Sequence, residues 1–162
     1  MSDNKVIIEA LGDDQLVIRR EFKATRDLVF QAHTECKYLK RWMFGPDGWS
    51  LDVCNIDLKV GGSYRYVWKK GDIEMGAGGE YREISEPDKF VCTEQFDDPW
   101  YPGIGLATIE LTETDGVTTL TNTIKYESKE ARDTVLESPM EDGLEAGYVR
   151  LDSLLSENAV DA

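Results

Sequence analysis

The sequence predicts an α+β domain in which a curved antiparallel sheet wraps round one long C-terminal helix. Three observations carry that prediction. Strand-like runs joined by short turns fill residues 49–126, an amphipathic helix signal begins at Ser138, and two short helical stretches separate the first strand from the rest. The last helix has a single apolar stripe, and the sheet is the only large surface able to cover it. The length, 162 residues, suits one domain over 1–162 with its core at about 15–156.

From Gln15 to Phe22 apolar and polar residues roughly alternate, with Leu16, Ile18 and Arg20 set against Val17, Arg19 and Glu21, which reads as the opening strand. Thr25 offers an N-cap oxygen. Leu28, Val29, Ala32, Leu39, Trp42 and Met43 then recur at helical intervals, and Thr34 divides the stretch into two helices. Gly45-Pro46-Asp47-Gly48 ends it with strong turn chemistry.

Five or six strands follow, parted by turns at Gly61-Gly62, Lys70-Gly71-Asp72, Glu86-Pro87-Asp88, Pro102-Gly103 and Asp115-Gly116. In the first, Ser50 to Leu58, two readings compete: Leu51 and Val53 inward, or Cys54, Ile56 and Leu58. The last is a clear alternator, with Leu120, Asn122, Ile124 and Tyr126 on one face and Thr119, Thr121, Thr123 and Lys125 on the other. Ser128 with Ala131, Val135 and Leu136 marks a short helix. Ser138-Pro139-Met140-Glu141 combines an N-cap serine, a first-turn proline and a capping-box glutamate. The helix it opens carries Met140, Leu144, Gly147, Tyr148, Leu151, Leu154 and Leu155 on its stripe, with Glu141, Asp142, Glu145, Asp152 and Ser153 largely off it. From Met140 to Leu155 it spans roughly 24 Å.

The charge excludes whole classes of partner. Lys and Arg number 18 against 32 Asp and Glu, and a net charge of −14 repels nucleic-acid phosphates and anionic membranes. No apolar window approaches the ~18 residues of a membrane helix, and nothing near Met1 reads as a leader, so a cytoplasmic protein is expected. Cys36, Cys54 and Cys92, odd in number and widely spaced, read as reduced thiols.

With one histidine, His33, the chain cannot build a two-histidine iron site, and no C-x-x-C spacing suggests zinc; no metal and no cofactor are expected. His33 reads as a packed structural residue. Gly76-Ala77-Gly78-Gly79 lacks the Lys-Ser/Thr of a phosphate loop and reads, like Gly61-Gly62, as a bulge or close backbone approach. Tyr64, Tyr66 and Trp68 share one strand face, suited to plain core or to the wall of a cavity. Glu94 shares a face with Phe90, Cys92 and Phe96, so if Phe96 points inward Glu94 does too, as a candidate acid or base. Trp100-Tyr101-Pro102 lies in a loop and reads as a rim or lid, or as an exposed aromatic interaction patch.

Five segments then resemble a known pattern: Trp42-Met43-Phe44-Gly45-Pro46-Asp47-Gly48, Asp57 through Tyr66, Gly79 through Ile84, Ala131-Arg132-Asp133, and Met140-Glu141-Asp142-Gly143. Over about Val17 to Leu155 the chain resembles the SRPBCC (START-like) superfamily, in the branch named for the C-terminal domain of the activator of the 90-kDa heat-shock protein ATPase. The resemblance implies the helix-grip (START-like) fold and a deep cavity between sheet and last helix. It adds Trp42, Phe96, Ile109, Asn122, Ile124, Leu144, Tyr148 and Leu151 to the three aromatics as cavity lining.

The function expected is binding of a small hydrophobic or aromatic molecule, as a carrier, sensor or stress-related protein rather than an enzyme. Two alternatives stand beside it: a polyketide cyclase/aromatase-like or hydrolase-like enzyme using Glu94, and a chaperone-ATPase-activating cofactor. A homodimer and a chaperone partner stay open.

Overall fold

The computed structural model describes residues 5–157. Its elements are β1 (Ile7–Leu11), β2 (Gln15–Phe22), α1 (Arg26–Thr34), α2 (Cys36–Trp42), β3 (Ser50–Ile56), β4 (Ser63–Lys70), β5 (Ile73–Ser85), β6 (Lys89–Phe96), β7 (Gly105–Thr114), β8 (Val117–Lys125), α3 (Lys129–Leu136) and α4 (Met140–Ser156). All eight strands join one antiparallel sheet in the order β1-β2-β8-β7-β6-β5-β4-β3. The α+β class and the long final helix agree with the sequence prediction, and β1 is an addition to it.

Register decides which residues look inward. Ile18 of β2 stands opposite Asn122 of β8, Asn122 opposite Ile109 of β7, and Ile109 opposite Phe90 of β6, so these share one face, the one that packs against α4. The competing readings of β3 are both partly right. A bulge between Leu51 and Val53 shifts the register, so that Leu51 pairs with Trp68 while Cys54 and Ile56 pair with Tyr66 and Tyr64 on the same face. A second bulge, between Tyr81 and Glu83, bends β5.

The glycines of β5 are the close approaches the sequence suggested. A Cβ on Gly78 would lie 2.6 Å from the Tyr64 carbonyl oxygen, and one on Gly79 would run into the Thr93 carbonyl.

Thr25 is extended as an N-cap requires but gives α1 no side-chain hydrogen bond. Ser128 does cap α3, its Oγ accepting from the Ala131 N–H at 3.1 Å. The capping box predicted for α4 is not formed. Pro139 is the N-cap, and the Ser138 hydroxyl donates to the Val135 carbonyl at 2.6 Å, because α3 ends so close that its last carbonyls take the hydroxyl first. Buried Arg132 donates to the Gly12 and Gln15 carbonyls, pinning α3 beneath the β1–β2 turn.

The cysteine reading needs correction. Cys36 at the start of α2 and Cys54 on β3 form a disulfide, with Cα atoms 5.7 Å apart, and Cys92 alone is free and buried. Their wide spacing in sequence gave no sign of this, because the pairing is made by docking α2 on the outermost strand.

Candidate functional site

The inward face carries two charged side chains of different fate. Arg20, on β2 between Ile18 and Phe22, is 2% exposed. Asp152 of α4 accepts from both terminal nitrogens at 2.8 Å, Glu145 accepts from Nε and Nη2 at 3.2 and 3.1 Å, and the Glu21 carbonyl takes another bond. The guanidinium also stands 5.0 Å from the Phe22 ring centroid and 5.7 Å from that of Tyr148. Glu145 further accepts from the Val6 N–H at 2.8 Å. This is a clamp holding α4 to the sheet, and the sequence reading missed it by placing Glu145 and Asp152 off the apolar stripe of the last helix. The inward parity of Arg20 was its only signal.

Glu94 is the other charge. The register puts it inward on β6, opposite Gly105 of β7, with Cys92 and Phe96 on either side along the strand. Small residues surround it. Ala107 stands opposite Cys92, Ala77 opposite Phe96, and Gly79 shares the face through its pairing with Tyr64. Tyr64 reaches across β5, its hydroxyl donating to the Thr93 carbonyl at 2.6 Å.

Aromatic rings stand round this floor. Tyr66 lies 5.1 Å from Tyr64 and 5.8 Å from Trp68, and Tyr101 lies 6.3 Å from Phe96 and 5.3 Å from Tyr126, between ring centroids. Trp68 is fixed by its indole N–H, which donates to the Met43 carbonyl at the end of α2, 2.9 Å away.

Burial raises the Glu94 pKa above the ordinary carboxylate value, and the neighbouring Tyr101 hydroxyl opposes part of that rise. The same burial lifts the Cys92 thiol to about 12 and drives the hydroxyls of Tyr64, Tyr66, Tyr101 and Tyr126 upward, with the Glu94 charge adding to each. The Tyr101 hydroxyl stands toward Glu94, while Asn122 Oδ1 is a buried polar atom with no hydrogen-bond partner. His33 Nε2 is another, on the helix side, where the ring packs 4.9 Å from Trp42 and its Nδ1–H donates to the Val29 carbonyl at 2.8 Å.

The expected lining residues fall into two groups. Trp42, Tyr64, Ile109, Ile124, Tyr148 and Leu151 are closed core, with Trp42 stacked on Tyr148 at 5.8 Å. Tyr66, Trp68, Phe96, Asn122 and Leu144 are only half-buried, as is Glu94. Tyr101 and Tyr126, buried beside Glu94, were not in the expected set; Tyr101 sits in a loop without periodicity, and Trp100 beside it is exposed. Two open depressions lie elsewhere, one between Lys5, Val6 and the outer side of α4, the other at Arg65, Gln95, Asp97 and Pro99, reaching Phe96. Among the described residues no three His, Cys, Asp or Glu side chains converge to hold a metal ion. No helix of the described chain is long and apolar enough to cross a membrane.

Comparison with known proteins places this architecture. A family model described as activator of Hsp90 ATPase homolog 1-like protein matches residues 23–156. No curated protein matches. Among solved structures, one from Rhodobacter sphaeroides is 29% identical with a TM-score of 0.89, covering 95% of this chain and 99% of that one. One from Mycobacterium smegmatis is 26% identical with a TM-score of 0.80, covering 93% and 96%. One from Nitrosomonas europaea is 25% identical with a TM-score of 0.79, covering 93% and 99%.

Proposed function

From the premise that the chain belongs to the activator of Hsp90 ATPase homolog 1-like family, we propose that it binds a small apolar or aromatic molecule between the inward face of β4–β8 and α4. One observation carries this reading. Glu94, Tyr66 and Asn122 point to the interior, yet each is only half-buried, over a floor of Ala77, Gly79, Gly105 and Ala107. In a close-packed interior such side chains are covered by their neighbours, so partial accessibility there is the mark of unfilled space. The aromatic walls supply flat apolar contact, and Asn122 Oδ1, buried without a hydrogen-bond partner, supplies a polar point that orients a ligand.

The test is native mass spectrometry of the purified protein followed by thermal shift with fatty acids, flavonoids and aromatic polyketides. A co-purifying mass or a reproducible rise in Tm is expected, since a ligand of the folded state must stabilise it. Neither appearing would count for a filled interior and for the protein-interaction role carried in the family's description.

A second reading, in which Glu94 acts as a general acid on the bound molecule, is favoured by its raised pKa within a shell of tyrosines. Turnover that survives Glu94→Gln removes it.

A further inference from the structure

We propose that the molecule held against Glu94 carries a cationic amine on its apolar body, with the ammonium facing the carboxylate and enclosed by the rings of Tyr66, Phe96, Tyr101 and Tyr126. The inference rests on the ligand-binding reading above and narrows it to a chemical class.

Pairing is the first argument. The inward positions of β5 through β8 carry no lysine or arginine, and Glu94 takes part in no ion pair among the described residues. The chain does pair its other inward charge, giving Arg20 two carboxylates and a carbonyl. A carboxylate turned inward and only partly reached by water is costly without a cation, and an incoming ammonium is the group that relieves it.

Hydrogen-bond sense is the second. Glu94 turns two acceptor oxygens inward, and the Tyr101 hydroxyl beside it supplies a single donor. An ammonium brings three donors and no acceptor, matching the carboxylate acceptor sites that the Tyr101 hydroxyl leaves free. A carboxylate ligand would meet like charge, and an alcohol would supply one donor.

The rings are the third. Aromatic faces attract cations, and those around Glu94 are linked by centroid distances of 5.1 to 6.3 Å into walls on both sides. The overall charge of −14 favours approach of a cation over an anion.

The experiment uses three probes with one indole body: tryptamine, tryptophol and indoleacetate, titrated by calorimetry into the wild-type chain and Glu94→Gln. Tryptamine is expected to bind at least about tenfold tighter than tryptophol, a difference of about 1.4 kcal/mol, and indoleacetate weakest. In Glu94→Gln the amine should fall to the level of the alcohol while tryptophol keeps its affinity. Circular dichroism checks that the variant is folded. Should it not fold, the order of the three probes on the wild-type chain decides alone.

If tryptophol or indoleacetate matches tryptamine, or the amine's advantage persists in Glu94→Gln, the inference is overturned and the binding reading stands. If none of the three binds while a fatty acid or flavonoid does, the inference again fails alone. If nothing in either panel binds, both fail.

Discussion

Arg20 and Glu94 both stand on the inward side of the sheet, one on β2 and one on β6, with β8 and β7 between them. Around Arg20 the chain has spent two carboxylates, a carbonyl and two aromatic rings, and the side chain is closed over. Around Glu94 it has placed glycines, alanines and tyrosines and left the carboxyl half-buried without a counter-ion. The comparison separates two uses of a buried charge. A charge satisfied from every side fastens secondary structure, and a charge left unsatisfied reserves a place for something that arrives later.

The largest effect is expected on the fastened side. Arg20→Met strands Glu145 and Asp152, and should lower stability in urea unfolding by about 3 kcal/mol, the low end for a broken buried pair because both carboxylates keep some exposure. A loss under about 1 kcal/mol would show that the clamp contributes little. The Glu94 side has a fastening of its own, the disulfide that ties α2 to β3. Replacing Cys36 by Ser opens a loop with sequence separation 18 and should cost roughly 3 kcal/mol. Mass analysis after alkylation without reductant should label Cys36 and Cys54 only if the bond is absent.

His33 sharpens the contrast through pH. Burial lowers its pKa to about 4 from 6.5, so the folded state binds fewer protons than the unfolded state. Its contribution is whole above pH 6.5 and is lost as pH falls through about 4, on the order of 3 kcal/mol in all. The midpoint of its ring proton resonance, unambiguous because the chain has one histidine, should lie near 4.

Glu94 runs the other way. Its raised pKa makes the folded state the better proton binder, so its contribution is whole below the ordinary carboxyl value and lost as pH rises through the folded pKa. Glu94→Gln should therefore be more stable than wild type at neutral pH, with the gain vanishing in acid. An Arg20 variant has no such crossover.

The smallest effects distinguish the glycines beside Glu94. A Cβ at Gly105 meets Ile124 and Tyr126 at ordinary contact distances, 3.4 and 3.5 Å, so Gly105→Ala should gain about 0.5–1 kcal/mol through the unfolded chain. Gly79→Ala drives its methyl into the Thr93 carbonyl and should destabilise instead.

Much of this architecture is legible along the chain because it is periodic. The bounds of β2, the split of α1 from α2, the Ser128 cap and the alternation of β8 all follow from local pattern. Glu94 could be turned inward from the parity of β6 alone. What escaped is made by distant partners or by breaks in period. β1 lies at the sheet's edge with Ile7 and Leu11 exposed, so it shows no half-buried alternation. The bulge in β3 puts Leu51 and Cys54 on one face, which no unbroken alternation allows. Arg20 finds its carboxylates 125 and 132 positions later, a distance over which sequence pattern is silent.

The disulfide also bears on how the chain behaves in a crowd of its own copies. β3 is an outermost strand, and a bare outermost strand offers its unpaired amides and carbonyls as a template on which another sheet can grow. The bulge at Leu51 and Val53 spoils that template at one end, and α2, bonded through Cys36 and Cys54, shields its flank. The bond that places one helix is thereby a guard against aggregation, and loss of colloidal stability should accompany its reduction.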